Sequence, residues 1–389
     1  MAAPNLKAEK RTRQRYRRER RFKALCVGAI LLSVAFLVFF FTDIIQRGYT
    51  AFQQAEVRAE VTYSERTVDM PPAAVDDDEV RPFVSRGWLR QLPDHVEADP
   101  DLMGQTVTRW ITADAPVGQY LKGKNSGLTE QEKAEVDRLR EEGQVRLAFN
   151  TNFFTNGDSK MAEMAGIKSA VVGSVLTLAV TMAVAFPIGV MSAVYLEEFA
   201  PDNRFTRFIE VNINNLAAVP SILYGLLGLA IFINIVGVPR SSALVGGLTL
   251  ALMTLPIIII STRAALRAVP DSIREGAFGV GASRLQVVSH HVLPQSLPGI
   301  LTGSIIGLAQ AMGETAPLLL VGMMAFMPSA PEGVTDAATV LPAQVYTWAS
   351  MPQRAFDEIT AAGILVLLAV LLTLNATAVV LRKRFERRW

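Results

Sequence analysis

The sequence predicts an all-α membrane protein with six transmembrane helices and an extracytoplasmic insert after the first of them. Half of its 389 residues are apolar, and they gather in long runs instead of recurring with an amphipathic period. Six runs, about 24–42, 167–194, 211–235, 243–262, 297–324 and 360–381, reach or approach the roughly 20 residues needed to cross hydrocarbon. Both ends are basic. Lys7, Lys10, Arg11, Arg13, Arg15, Arg17, Arg18, Arg20, Arg21 and Lys23 face only Glu9 and Glu19, and the chain closes on Arg382-Lys383-Arg384-Phe385-Glu386-Arg387-Arg388-Trp389. The positive-inside rule then places both termini in the cytoplasm, which requires an even number of crossings.

Residues 1–23 read as a basic cytoplasmic N-terminus and 24–42 as an anchor helix. Placed directly before an apolar run, the basic stretch is a topology signal rather than a nucleic-acid site. The run is longer than the apolar region of a secretory signal and lacks a small-residue cleavage site, so it reads as retained. Cys26, the only cysteine, excludes an intramolecular disulfide and a cysteine-rich metal site.

Residues 43–165 form the extracytoplasmic domain or loop. Asp76-Asp77-Asp78-Glu79 lacks the ligand order of a calcium loop and reads as a solvated turn. Thr129 to Arg146 reads as an amphipathic helix with Ala134, Val136, Leu139 and Val145 on its apolar side.

The second span carries Ser169, Gly173, Thr177 and Thr181 at four-residue spacing, a small-residue ridge for close helix approach. The third contains Asn214, Asn215, Pro220, Ser221 and Gly225; Pro220 frees a backbone carbonyl inside the membrane. A proline-kinked packing helix and a pore-lining bend fit that stretch equally. Arg263 ends the fourth span, positioned to snorkel. In the cytoplasmic segment 263–296, Ser272 and Glu275 match a capping box. A short helix follows, broken at Gly279 and Gly281, and Ser283 caps a second. After the fifth span, Tyr346 and Trp348 are placed as interfacial anchors.

The functional stretch is Gln310-Ala311-Met312-Gly313-Glu314-Thr315-Ala316-Pro317, inside the fifth apolar run. A carboxylate there costs roughly 2.5–3.5 kcal/mol on insertion scales. Read as one helix, Gln310, Gly313, Glu314 and Pro317 share a face, small and polar, aimed at protein or a water-filled path.

Two stretches resemble a known family. Glu275-Gly276-Ala277, Gly281, and His291-Val292-Leu293-Pro294 keep the spacing of the EAA coupling motif of ABC importer permeases, with Gly276 for the usual Ala and His291 for the usual Ile. Gly313-Glu314-Thr315-Ala316-Pro317 and Val219-Pro220-Ser221-Ile222-Leu223-Tyr224-Gly225 look like phosphate permeases of the PstA type. The resemblance covers about 160–389 and implies a five-helix, MetI-like ABC permease core at 166–389, in a bacterial inner membrane. It implies a substrate path at Glu314, Gln310, Thr315, Pro317, Ser221, Asn214, Asn215 and Arg263. ATPase coupling falls to Glu275, Gly276, Ala277, Gly281, Leu293 and Pro294. The implied partners are a second homologous permease, two ATP-binding subunits and an extracytoplasmic phosphate-binding protein. In many relatives an Arg stands where this chain has Gln310, so the counter-charge of Glu314 is sought elsewhere, in Arg263 or the second permease.

No phosphate-binding loop (Gly-x-x-x-x-Gly-Lys-Ser/Thr) is present, so ATP is hydrolysed by the partner and the chain binds no cofactor itself. His95, His290 and His291 lie outside the spans, which argues against an intramembrane enzyme. A permease for another oxyanion (sulfate, molybdate or phosphonate), and a sensor or scaffold built on 43–165, are the competing readings.

Overall fold

The computed structural model describes residues 6–385. Residues 1–5 and 386–389, which include Glu386, Arg387, Arg388 and Trp389 of the basic tail, lie outside the described residues. The first helix, α1, runs Leu6–Gly48. It is followed by an insert that reaches to the start of α4 at Lys168. The insert contains a three-stranded antiparallel sheet. Strand β1 (Gln53–Thr62) is central, between β2 (Thr106–Thr112) and β3 (Val145–Phe149). Val57, Ala59 and Val61 of β1 turn inward, and Arg58 and Glu60 outward, the period-two alternation of a half-buried strand. The inner face packs on α2 (Ala115–Leu121) and α3 (Glu130–Glu141), with Val117, Val136 and Leu139 in the core.

The sequence reading of 129–146 as one helix is corrected: α3 ends at Glu141 and Val145 opens β3. A capping box formed by Thr129 and Glu132 starts α3. Asp76, Asp77 and Asp78 are exposed in a turn.

The membrane domain is built from α4 (Lys168–Val194), α5 (Arg204–Ala217), α6 (Ser221–Leu227), α7 (Ala243–Arg267), α8 (Asp271–Gly279), α9 (Leu293–Gly313), α10 (Ala316–Leu320), α11 (Leu341–Ala349) and α12 (Ala355–Phe385). Five helices are long and apolar enough to span, and the α5–α6 pair, bent by 106°, brings the number to six where its two pieces count as one broken span. The third span, expected at 211–235 with a bend or kink at Pro220, instead begins at Arg204 and breaks fully at Pro220.

Helix α7 lies at the centre, against α4 on one side and α9 on the other. Ser169, Gly173, Thr177 and Thr181 of α4 are all buried, and Thr181 Oγ1 donates to Gly247 O of α7 at 3.2 Å. Without a hydrophobic drive between helices in lipid, such small-residue contacts and cross-helix hydrogen bonds supply the association. Trp348 is not an interfacial anchor. It is fully buried, and its indole N–H donates to Asp158 Oδ1 at 2.8 Å.

The insert is bolted to α12 by a buried ion cluster. Glu358 takes Lys122 Nζ at 2.8 Å and Lys124 Nζ at 3.2 Å, and Gln119 Nε2 at 2.8 Å. Nearby, burial raises both the Asp114 and Glu163 carboxyls above the usual carboxylate range, although the Ser85 hydroxyl donating to Glu163 opposes the shift. Acids raised by folding contribute stability that is full below their unfolded pKa and is lost as pH rises through the folded one. The melting temperature of the purified chain should therefore fall as pH rises from mildly acidic to neutral, and Glu163→Gln should flatten that slope. A slope unchanged in the variant would refute the assignment.

Candidate functional site

Two proline-driven helix breaks form the centre of the site. Pro220 lacks the amide that would bond the carbonyl four residues back, which is Leu216 O. That oxygen is recovered by the Tyr224 hydroxyl at 2.6 Å and by the Val219 amide at 3.1 Å. Buried polar groups at membrane depth must be satisfied in this way. The chain turns at Pro220 and restarts as α6 at Ser221.

The second break is at Glu314, and it corrects the reading of 297–324 as one helix. Pro317 cannot bond the Gly313 carbonyl, so α9 stops at Gly313 and Glu314 adopts an extended conformation (φ −80°, ψ 123°). Pro317 then sits in the first turn of α10, where its fixed φ and missing N–H are tolerated. The shared helical face of Gln310, Gly313, Glu314 and Pro317 accordingly does not exist. Gln310 and Gly313 are exposed, Glu314 and Thr315 half-buried, and Pro317 buried.

The two breaks meet. A Cβ on Gly225 of α6 would lie 2.7 Å from Pro317 Cα and 2.9 Å from Pro317 O, so only glycine lets α6 lie on α10. Ser221 is half-buried in α6, while Asn214 and Asn215 are exposed near the end of α5. Among the described residues Glu314 takes part in no ion pair.

Arg263 does not belong to this group. Its guanidinium is held by Glu197 at 3.1 Å and Glu210 at 2.6 Å, with its side chain 12% exposed. Nor is it near Glu314. Gly303 of α9 packs on Ser261 and Gly299 on Ala265, so Arg263 is level with the α9 turn around 301, about 20 Å from Glu314 at 1.5 Å per residue. The reading of Arg263 as a snorkelling residue or as the missing counter-charge is corrected on both points: two carboxylates of its own chain neutralise it.

At the far end of α7 lies the loop of the EAA-like motif. Helix α8 starts at Asp271 with Pro270 as its cap and no side-chain capping bond. The expected Ser272–Glu275 capping box is absent because the helix begins two residues earlier, at Asp271, leaving Ser272 inside the first turn. The glycine bend is present: α8 ends at Gly279 and Gly281 has φ +87°, a conformation that other residues adopt only under strain. Ser283 caps the next segment, its amide bonding Gln286 Oε1 at 2.9 Å. From Arg284 the chain is helical through to Gly313, so Leu293 and Pro294 lie within one long rod.

Ala277, Val287 and Val292 turn inward onto Leu266 and Val269. Glu275, Gly276, Phe278, Val280 and Leu285 face outward, leaving an apolar surface with one acid. A Cβ on Gly276 would meet nothing within 4 Å, so the departure from the usual Ala has no steric reason. The loop is fastened by Arg274, which donates to Glu198 Oε1 at 2.8 Å, Leu266 O at 2.9 Å and Val269 O at 2.7 Å. Arg274, Glu197, Glu198, Tyr224 and Gly225 were not singled out as site residues from the sequence. Only Pro317, two residues past Thr315, signalled the second break.

Residues 185–389 match the family described as binding-protein-dependent transport system inner membrane component. Residues 9–80 and 69–131 match a domain of unknown function. The probable ABC transporter permease protein YqgI of Bacillus subtilis is 35% identical over 46% of this chain and 59% of its own length, less than two thirds of that relative. The phosphate transport system permease protein PstA 1 of Mycobacterium tuberculosis is 32% identical over 57% of this chain and 72% of its own. PstA of Yersinia pestis is 32% identical over 55% and 71%. A chain of the inward-facing MetNI methionine ABC transporter superposes with a TM-score of 0.44, 22% identity and coverage of 56% and 97%. The family match extends over more than half of the residues and includes both breaks and the coupling loop; the chain belongs to the binding-protein-dependent transport system inner-membrane components, and is an ABC importer permease of the PstA type.

Proposed function

We propose that this chain is the permease subunit through which inorganic phosphate enters the cell, driven by ATP hydrolysed on separate subunits. The substrate reading is supported by relatives named as phosphate transport permeases, 32% identical over more than 70% of their length. The observation that carries the mechanism is the contact of the two helix breaks through Gly225 and Pro317. Non-helical backbone at membrane depth is tolerated where it lines a cavity or lies within protein.

In this reading Glu314, Thr315, Ser221, Gln310, Asn214 and Asn215 line the path. The Glu314 carboxylate accepts a hydrogen bond from a protonated phosphate, and the hydroxyls and amides donate to its oxygens. The opposing half of the path comes from a second homologous permease, and substrate is delivered by an extracytoplasmic binding protein. The outward face of 275–285 seats one of two ATP-binding subunits, whose closure pushes α8 and alternates access beside Glu314. Both termini are cytoplasmic, and the insert faces outward.

The test is binding-protein-dependent uptake of labelled phosphate in a strain lacking its own phosphate permeases, competed by sulfate, molybdate and a phosphonate. Phosphate alone should compete at low concentration. Competition by another oxyanion instead would reassign the substrate. Glu314→Gln should lower uptake and change its pH profile, and transport unchanged at every pH would reduce Glu314 to a packing residue. Glu275→Arg should abolish ATP-dependent uptake without removing the protein from the membrane; normal uptake would remove the coupling role.

A further inference from the structure

We propose that Arg274 is the positioning residue that makes two core helices, α4 and α7, follow the coupling helix α8 as one unit. This rests on the reading above, in which α8 is displaced by the ATPase. Among the described residues, the only ion pair joining α8 to another element is Arg274–Glu198; the other, with Asp271, is local. A helix seated on its neighbours by apolar contact alone can slide. One held by a directed, charge-assisted hydrogen bond transmits displacement along a fixed line.

The geometry ties α8 to two helices at the same atoms. Nη2 of Arg274 reaches Glu198 Oε1 at 2.8 Å and Leu266 O at 2.9 Å. Nη1 reaches Val269 O at 2.7 Å. Leu266 lies in the last turn of α7 and Val269 two residues past its end, where the helix dipole favours a cation. Glu198 lies in the wide turn Tyr195–Phe199 that closes α4. Such π-type turns are rare and concentrate at functional places. Here the turn sends two consecutive acids to different partners. Glu198 meets Arg274, whereas Glu197 meets Arg263 at 3.1 Å and Arg267 at 2.7 Å.

Arg263 in turn holds Glu210 of α5 at 2.6 Å, and α5 leads to the Pro220 break. The joint is sheltered: the Arg274 and Glu198 side chains are 18% and 10% exposed, so solvent and salt screen it weakly. The fork shape matters as much as the charge. A guanidinium satisfies two carbonyls and a carboxylate together, and an ammonium does not reproduce that geometry.

The experiment compares Glu198→Gln, Arg274→Lys, Arg274→Met and the double variant Glu198→Gln/Arg274→Met in the complete importer reconstituted in vesicles. Complex recovery, ATP hydrolysis and phosphate uptake are read in each. The wild-type complex serves as the reference: failure of ATP-driven phosphate uptake there would reject the proposed substrate, not the joint, which is then read from stimulation of hydrolysis by the binding protein. The expected result is unchanged complex recovery and basal hydrolysis, with uptake per ATP lowered by about 5- to 150-fold in Arg274→Met, the span of a typical coupling energy. Arg274→Lys should recover part of this. The double variant should be no worse than Arg274→Met, because the two residues act as one unit. The proposal is overturned if uptake per ATP stays at the wild-type value in Arg274→Met. Additive losses in the double variant overturn it too, as does a fall in uptake that merely tracks loss of assembled complex.

Discussion

Glu358→Leu is expected to destabilise the protein by about 3–5 kcal/mol, the usual penalty for leaving one member of a buried ion pair without its partner. Lys122 and Glu358 have side chains only 9% and 4% exposed. Burial pulls the Lys122 ammonium below the usual lysine range, and the Glu358 carboxylate pulls it back. Removing the carboxylate leaves the burial and takes away the compensation. The loss should appear as a drop in melting temperature of the purified protein and as protease sensitivity of the insert. Replacing both residues, as Lys122→Met with Glu358→Leu, should recover most of the stability, since a packed apolar pair often matches a buried ionic one. A double variant as unstable as Glu358→Leu alone would show that Glu358 serves chiefly Lys124 and Gln119, not Lys122.

The second large effect is expected from Gly225→Val. A Cβ there meets Pro317 backbone atoms at 2.7 and 2.9 Å, and backbone cannot rotate away as a flexible side chain does. Over-packing of this kind costs about 1–3 kcal/mol, and it falls on the contact between the two breaks. Uptake should therefore drop as well, by about tenfold if about 1.4 kcal/mol of that cost falls on the transport step. Gly276→Ala is the matched control. It adds a Cβ that meets nothing within this chain and should leave the melting temperature unchanged. Wild-type uptake in Gly225→Val would mean that the path lies elsewhere.

The membrane architecture was legible because its signals are local. Long apolar runs mark spans, and Gly281 at φ +87° fits the bend expected from its neighbours. The proline effects were local too but incompletely used. Pro220 was recognised as a bend, whereas Pro317 was absorbed into a continuous helix, although the same missing amide governs both. The insert was hidden for another reason. Its central strand pairs Val57 with Ile111 and with Val145, and contacts so distant in sequence leave only a short alternating pattern in each partner. The charge pairs were the least legible. Arg263 stands in sequence as a lone cation at a span end, and only folding brings Glu197 and Glu210 to it.

Helix α1 has a further consequence, one of length. Its apolar stretch 24–42 measures about 28 Å along the axis, close to a hydrocarbon thickness of about 30 Å. The helix nevertheless begins at Leu6, so its basic side continues for about another 27 Å. The Gly48 end cannot slip to share that excess. At Gly48, α1 lies so close to α12 that a Cβ there would sit 2.9 Å from the Ala361 carbonyl carbon. The surplus therefore lies wholly at the N-terminal end of α1, where an arginine close to an anionic membrane surface contributes about 1 kcal/mol.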